Sequence, residues 1–191
     1  NFGGLWHSDT TYLEHPPMGA ILAAKELPPY GGDTLFANMY MAYETLSKGM
    51  RNMLDGMVGI SSSAKARVTQ TRRDRMKTSA KVSDAMELVA EHPVVRTHPE
   101  TGRKGLYFDP GKILYVEGLG EAESEDVIEE LTNYMVQPGA EYRHKWRKGD
   151  IVIWDNRCVL HYAIHDYYPQ RRRMERVTIA GDKPFGPNDP Y

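Results

Sequence analysis

The apolar runs of this chain are short, and many of them stop at a cluster of glycine and proline. Pro28-Pro29-Tyr30-Gly31-Gly32 separates residues 20–26 (AILAAKE) from 33–37 (DTLFA), and Pro99-Glu100-Thr101-Gly102 separates 94–97 (VVRT) from 105–108 (GLYF). Proline fixes φ and glycine admits positive φ, so such clusters mark turns between strands. Strand-like pieces recur at 113–116, 142–146, 150–154, 157–162 and 174–180, with Asp155-Asn156 as a tight turn. Helical spacing is confined to three stretches. In 39–54, Met39, Tyr43, Leu46, Met50, Met53 and Leu54 share one face. In 83–91, Ser83 stands as a cap and Pro93 lies beyond the end. In 124–136, Val127, Ile128, Leu131, Tyr134 and Met135 fall together, with Glu125 and Asp126 near the positive end of the helix. A parallel α/β sheet needs regular strand–helix alternation, which is absent. The pattern predicts a mainly β sandwich or barrel with flanking helices.

At 191 residues the chain fits a single domain, residues 1–191, with a sizeable core. Hydrophobic residues make up 40% and charged residues 26%, which excludes a disordered tail. No apolar run reaches the roughly 18 residues of a membrane span. A net charge of −2 gives nothing global to recruit nucleic acid or an anionic membrane. The single cysteine, Cys158, fits a reducing, cytoplasmic setting and reads as buried filler. Basic residues gather at 64–81, but without an interleaved aromatic set, so this stretch reads as a solvated loop. The chain begins at Asn1 and reads as a piece lacking its N-terminal part.

Three sets of residues can carry chemistry. His7 and Asp9 are two apart, so in an extended segment they point the same way and can offer an imidazole nitrogen and a carboxylate oxygen to one ion. His161 ends an apolar run where a barrel mouth would lie. Two histidines and one carboxylate suit a non-haem Fe(II) centre that leaves positions open, and the same ligands can hold a catalytic zinc. The third set is Arg171, Arg172, Arg173 and Arg176. A guanidinium is a planar fork of donors for a carboxylate. Arg172 and Arg176 share a strand face by their even spacing, and a hairpin would bring Arg172 and His161 to one cavity.

Several blocks in order carry a family resemblance. They are Trp6-His7-Ser8-Asp9-Thr10-Thr11-Tyr12, Pro16-Pro17-Met18-Gly19-Ala20, Gly31-Gly32-Asp33-Thr34-Leu35-Phe36 and His98-Pro99. Later come Trp154-Asp155-Asn156-Arg157, His161-Tyr162-Ala163, Gln170-Arg171-Arg172, Arg176 and Gly181-Asp182-Lys183-Pro184. Over nearly its whole length the chain resembles the taurine/2,4-dichlorophenoxyacetate dioxygenase family (TauD/TfdA), Fe(II)- and 2-oxoglutarate-dependent oxygenases, and is closest to the taurine branch.

The resemblance implies a double-stranded β-helix (jelly-roll) core and a lid insertion at about 60–85. It implies His7, Asp9 and His161 as the iron ligands. Thr34 and Arg172 match the residues that hold 2-oxoglutarate, and Arg176 matches an arginine near that cosubstrate which, in the taurine branch, also holds the substrate sulfonate. Tyr107 is a candidate for the substrate pocket, whereas Trp6 and Trp154 read as packing. The implied reaction uses O2 to hydroxylate a small anionic substrate, releasing succinate and CO2. Taurine or a related sulfonate comes first, and an alkyl sulfate or an aryloxyalkanoate is the alternative. Two readings compete: a zinc hydrolase, which leaves Arg172 and Thr34 without a shared purpose, and a truncated, non-catalytic barrel. Family members often form homo-oligomers.

Overall fold

The computed structural model describes residues 4–65 and 87–189. These form, in order, β1 (Gly19–Glu26), β2 (Thr34–Asn38), α1 (Met39–Glu44), α2 (Lys48–Leu54), β3 (Val58–Ser62), β4 (Val89–Pro93), β5 (Val95–Thr97) and β6 (Lys104–Leu106). Then follow β7 (Ile113–Val116), α3 (Glu121–Met135), β8 (Glu141–His144), β9 (Ile151–Asp155), β10 (Val159–Ala163) and β11 (Arg173–Ile179). The molecule is mainly β with few helices, as its punctuation predicts. No helix among the described residues is long and apolar enough to cross a membrane.

Two three-stranded antiparallel sheets position the candidate site. The first runs β11-β1-β9 and the second β10-β2-β8. In the first, Ala20 lies opposite Trp154, and Leu22 lies opposite Arg176. Period-two alternation therefore puts Trp154 and Arg176 on one face, beside the small side chain of Ala20. In the second, Phe36 lies opposite His161, and Thr34 lies between Ala163 and His144. The Trp154 ring centroid is 4.8 Å from that of His161 and 5.7 Å from that of Phe36, so these two faces look at each other.

The other face of the second sheet carries Ala37 and Leu160, which are register partners, into the main apolar core. Met39 and Tyr43 of α1, Leu106 of β6, and Leu131 and Met135 of α3 complete that side. The core thus backs the second sheet, and the polar site fronts it.

Three expectations need correction. The helix over 83–91 is not formed where it can be seen: Val89–Pro93 is a strand paired with β3. Val89 and Glu91 are exposed while Ala90 and His92 are buried, the period-two pattern of a strand rather than the helical one. Residues 83–86 lie outside the described residues. The stretch 39–54 is two helices, because Ser47 starts a new one, its Oγ accepting the Met50 N–H at 3.2 Å. Asn38 caps the first, its Oδ1 accepting from Tyr40 and Met41, a bond worth about 1 kcal/mol. Met53, assigned to the buried face, is exposed. Finally, β10 and β11 form no hairpin: they belong to different sheets. The expected lid at 60–85 falls largely outside the described residues, and its first three residues are the end of β3.

Candidate metal centre and anion site

His7 and His161 meet as an isolated antiparallel bridge. The His7 N–H donates to the His161 carbonyl at 3.0 Å, and the His161 N–H donates to the His7 carbonyl at 2.9 Å. Their rings stand 4.0 Å apart between centroids. Asp9 follows two residues after His7, and its Oδ1 lies 3.8 Å from His161 Nε2. Among the described residues, His7, Asp9 and His161 are a group able to hold a metal ion, with one ligand atom from each within 4.8 Å of the others.

The protonation states suit that role. His7 Nδ1 sits 2.8 Å from the Leu5 carbonyl. A carbonyl can only accept, so Nδ1 carries the proton and Nε2 keeps its lone pair. Burial, with the Lys112 charge next in weight, pulls the His7 imidazole below its ordinary value. Burial and the neighbouring His7 hold His161 well below its own. Both rings are neutral near pH 7, the ligating form. Burial alone would raise the Asp9 carboxyl, but the charges of His161 and Arg176 hold it below the usual carboxylate range. Because His161 is itself neutral, Arg176 is the charge that acts at neutral pH. His161 Nδ1 is buried without a hydrogen-bond partner. Two neutral imidazoles and one ionised carboxylate, gathered in one place, fit a divalent cation.

Asp9 is oriented through one oxygen. Its Oδ2 pairs with the Arg176 guanidinium and accepts from Asn156 Nδ2 at 3.0 Å. Asn156 is itself held: its Oδ1 accepts from Trp154 Nε1 at 2.8 Å, and its N–H donates to the Met18 carbonyl at 2.8 Å. Thr10, next in the chain, has a φ of 43°, the left-handed region that a β-branched residue rarely adopts.

A second cluster gathers around Thr34, at the start of β2. Thr34 Oγ1 is buried and accepts from Trp146 Nε1 at 2.9 Å. The Arg172 guanidinium carbon lies 5.9 Å from the Trp146 ring centroid and 5.8 Å from that of Tyr167. Burial lowers the Arg172 value, against opposing help from Tyr167 and Asp33, yet an arginine stays charged at any ordinary pH. Its Nε is buried without a partner. A half-buried guanidinium with an unmet donor fits an anion, and a carboxylate matches its fork. Gly32 makes room for it: φ is +75°, and a Cβ there would lie 3.0 Å from Arg172 Cδ and 3.1 Å from Nε.

The structure therefore groups His7, Asp9, His161 and Arg176 at one place, and Thr34 with Arg172 at the other. Tyr107 is buried, its ring 5.9 Å from His92 and 5.0 Å from the Arg96 guanidinium. Trp154 does more than pack, since it touches His161 and fixes Asn156. Trp146 and Asn156 were not among the sequence candidates. Trp146 continues the alternation of Tyr142 and His144, but only the register, which sets His144 opposite Thr34, ties it to the site. Cys158 is partly buried, and burial raises its thiol above the ordinary value, as befits an inert thiol.

Fold and site together define a class, and comparison with known proteins names it. Residues 1–178 match the model of the family described as taurine catabolism dioxygenase TauD, TfdA family. The chain belongs to the TauD/TfdA family. It is 34% identical over 187 residues to the alpha-ketoglutarate-dependent sulfate ester dioxygenase of Pseudomonas putida, covering 95% of this chain and 61% of that protein. It is 35% identical over 178 residues to the alpha-ketoglutarate-dependent 2,4-dichlorophenoxyacetate dioxygenase of Cupriavidus pinatubonensis, covering 93% and 60%. The crystal structure of a taurine dioxygenase from Burkholderia xenovorans superposes with a TM-score of 0.81 at 35% identity, covering 98% of this chain and 60% of that one. The chain thus spans about three fifths of the length of each of these relatives.

Proposed function

We propose that this protein is an Fe(II)- and 2-oxoglutarate-dependent oxygenase acting on a small organic anion. The observation that carries the reading is the convergence of His7, Asp9 and His161 from opposite ends of the chain. We infer that the facing sheets β11-β1-β9 and β10-β2-β8 are the halves of a double-stranded β-helix within one oxygenase domain. His7, Asp9 and His161 are its iron ligands. Bound iron and 2-oxoglutarate supply the oxidising chemistry, in which O2 is consumed, succinate and CO2 leave, and a substrate carbon is hydroxylated.

The protein contributes orientation, charge and dryness. Arg172 meets the distal carboxylate of 2-oxoglutarate with its unmet Nε–H, and Thr34 Oγ–H adds a second bond while accepting from Trp146. Arg176 keeps Asp9 ionised and presents its remaining donors to an anion beside the metal. Trp154 and Phe36 flank His161 and keep water from its ring. The two named enzyme relatives act on a sulfate ester and on an aryloxyacetate, and the solved neighbour is a taurine dioxygenase. These compounds share a small anionic head, which Arg176 suits. A sulfonate such as taurine is the first candidate, ahead of alkyl sulfates and aryloxyalkanoates.

Anaerobic titration of Fe(II) and then 2-oxoglutarate, followed by visible absorption, tests the reading. A charge-transfer band that needs both additions is the expected result. Arg172→Ala should weaken 2-oxoglutarate binding by about tenfold or more, since a charge-assisted bond is lost, and leave metal binding intact. Succinate release in the presence of each candidate anion then ranks the substrates. A folded, metal-binding protein that gives no band would favour the non-catalytic barrel.

A further inference from the structure

Beneath the turn that carries His7 and Asp9 lies a pair of opposite charges that the proposed chemistry does not use. The Asp109 side chain is 0% exposed and that of Lys112 is 10% exposed, and the two pair with each other. Both also reach Ser8, the residue between the two candidate ligands. The Ser8 N–H donates to Asp109 Oδ2 at 3.2 Å, and Lys112 Nζ donates to the Ser8 carbonyl at 2.8 Å. Asp109 is anchored in turn: its Oδ1 accepts from the Gly111 N–H at 2.8 Å, and its carbonyl accepts from the N–H groups of Lys112 and Ile113 at 2.9 Å each. The pair is thus built into the turn that enters β7.

A buried ion pair is a poor device for stability alone, because desolvating two charges cancels most of their attraction. The geometry here serves another end. The Ser8 N–H belongs to the peptide that follows His7, and the Ser8 carbonyl belongs to the peptide that leads to Asp9. Holding both fixes φ and ψ of Ser8, and these two torsions set how the His7 and Asp9 side chains stand relative to each other. We propose that Asp109 and Lys112 are positioning residues that clamp the backbone of Ser8 and so preset the spacing of two metal ligands. The proposal rests on reading His7, Asp9 and His161 as metal ligands.

The test is Mn(II) binding to the metal-free protein, followed by the electron paramagnetic resonance signal of the free ion. Thermal unfolding without metal is measured alongside. The double variant Asp109→Leu/Lys112→Met removes both charges together, so it strands neither, and it removes both bonds to Ser8. It should bind Mn(II) about 10- to 100-fold more weakly, the usual effect of losing support behind a ligand, while its metal-free unfolding stays cooperative. Ser8→Gly and Ser8→Ala form a second, milder pair. Both keep the clamped backbone groups, so they should bind Mn(II) alike to within about threefold, although glycine is the looser residue. Equal affinity of wild type and the double variant overturns the clamp and leaves the metal site standing. So does an Mn(II) affinity for Ser8→Gly that falls about tenfold or more below that of Ser8→Ala. No binding by wild type removes the metal site and the clamp together.

Discussion

Asp9 divides its two oxygens between different tasks. Oδ2 is taken by Arg176 and Asn156, which leaves Oδ1 facing His161 and free for a cation. Asn156→Ala would remove a donor that orients this carboxylate, and should weaken Mn(II) binding by about tenfold in a calorimetric titration. At the other cluster, Trp146→Phe keeps the aromatic surface beside Arg172 but loses the N–H to Thr34. The expected loss is about 1 kcal/mol of 2-oxoglutarate affinity with Mn(II) affinity unchanged, and equal losses of both would refute the division into two clusters. The candidate ligands stand out in the sequence because they lie in ordered blocks that carry the family resemblance; a histidine and a carboxylate two residues apart is by itself a common pattern. Asn156 and Trp146 do not stand out as parts of a site, because an amide at a turn and an indole at a strand end look the same whether they support a site or merely fill space. What distinguishes them is a hydrogen bond to a residue more than a hundred positions away.

Single elements show the same division between local and distant causes. Most strands were readable because turn clusters bound them on both sides. The sequence of β4 reads as helix because its alternation is brief and follows residues with helical preference, whereas the pairing with β3 decides its conformation. That strand also predicts a pH dependence. His92 Nε2 donates to the Leu13 carbonyl at 2.9 Å, and burial holds the ring below its ordinary value of 6.5. The unfolded chain therefore takes up a proton on this ring before the folded one does. Its contribution is complete above pH 6.5 and is lost as the pH falls below that value, at up to about 1.4 kcal/mol per pH unit. His92→Gln retains a donor for Leu13 but cannot take the proton. Urea denaturation of the metal-free protein should then depend less steeply on pH between about 6.5 and 5 than it does in wild type. An unchanged slope would count against this account.

For the molecule as a whole, the outer face of the first sheet is distinctive. Ile153, Ile21 and Val177 are register partners across β9, β1 and β11. Ile153 is 65% exposed and Val177 63%, and Ile151 adds a further 66%-exposed apolar side chain. A contiguous apolar stripe of this kind promotes association. The variant Ile153→Thr/Val177→Thr, made where both side chains face outward, should reduce light scattering at high concentration without altering the unfolding midpoint; unchanged scattering would show that the stripe is inert. The other whole-molecule feature is the bridge between His7 and His161, which ties together two distant stretches of chain. During synthesis His7 and Asp9 leave the ribosome well before His161 does. A nascent chain can offer the proposed set of three ligands only once the second sheet has brought His161 beside His7, so metal occupancy would report that this closure has taken place.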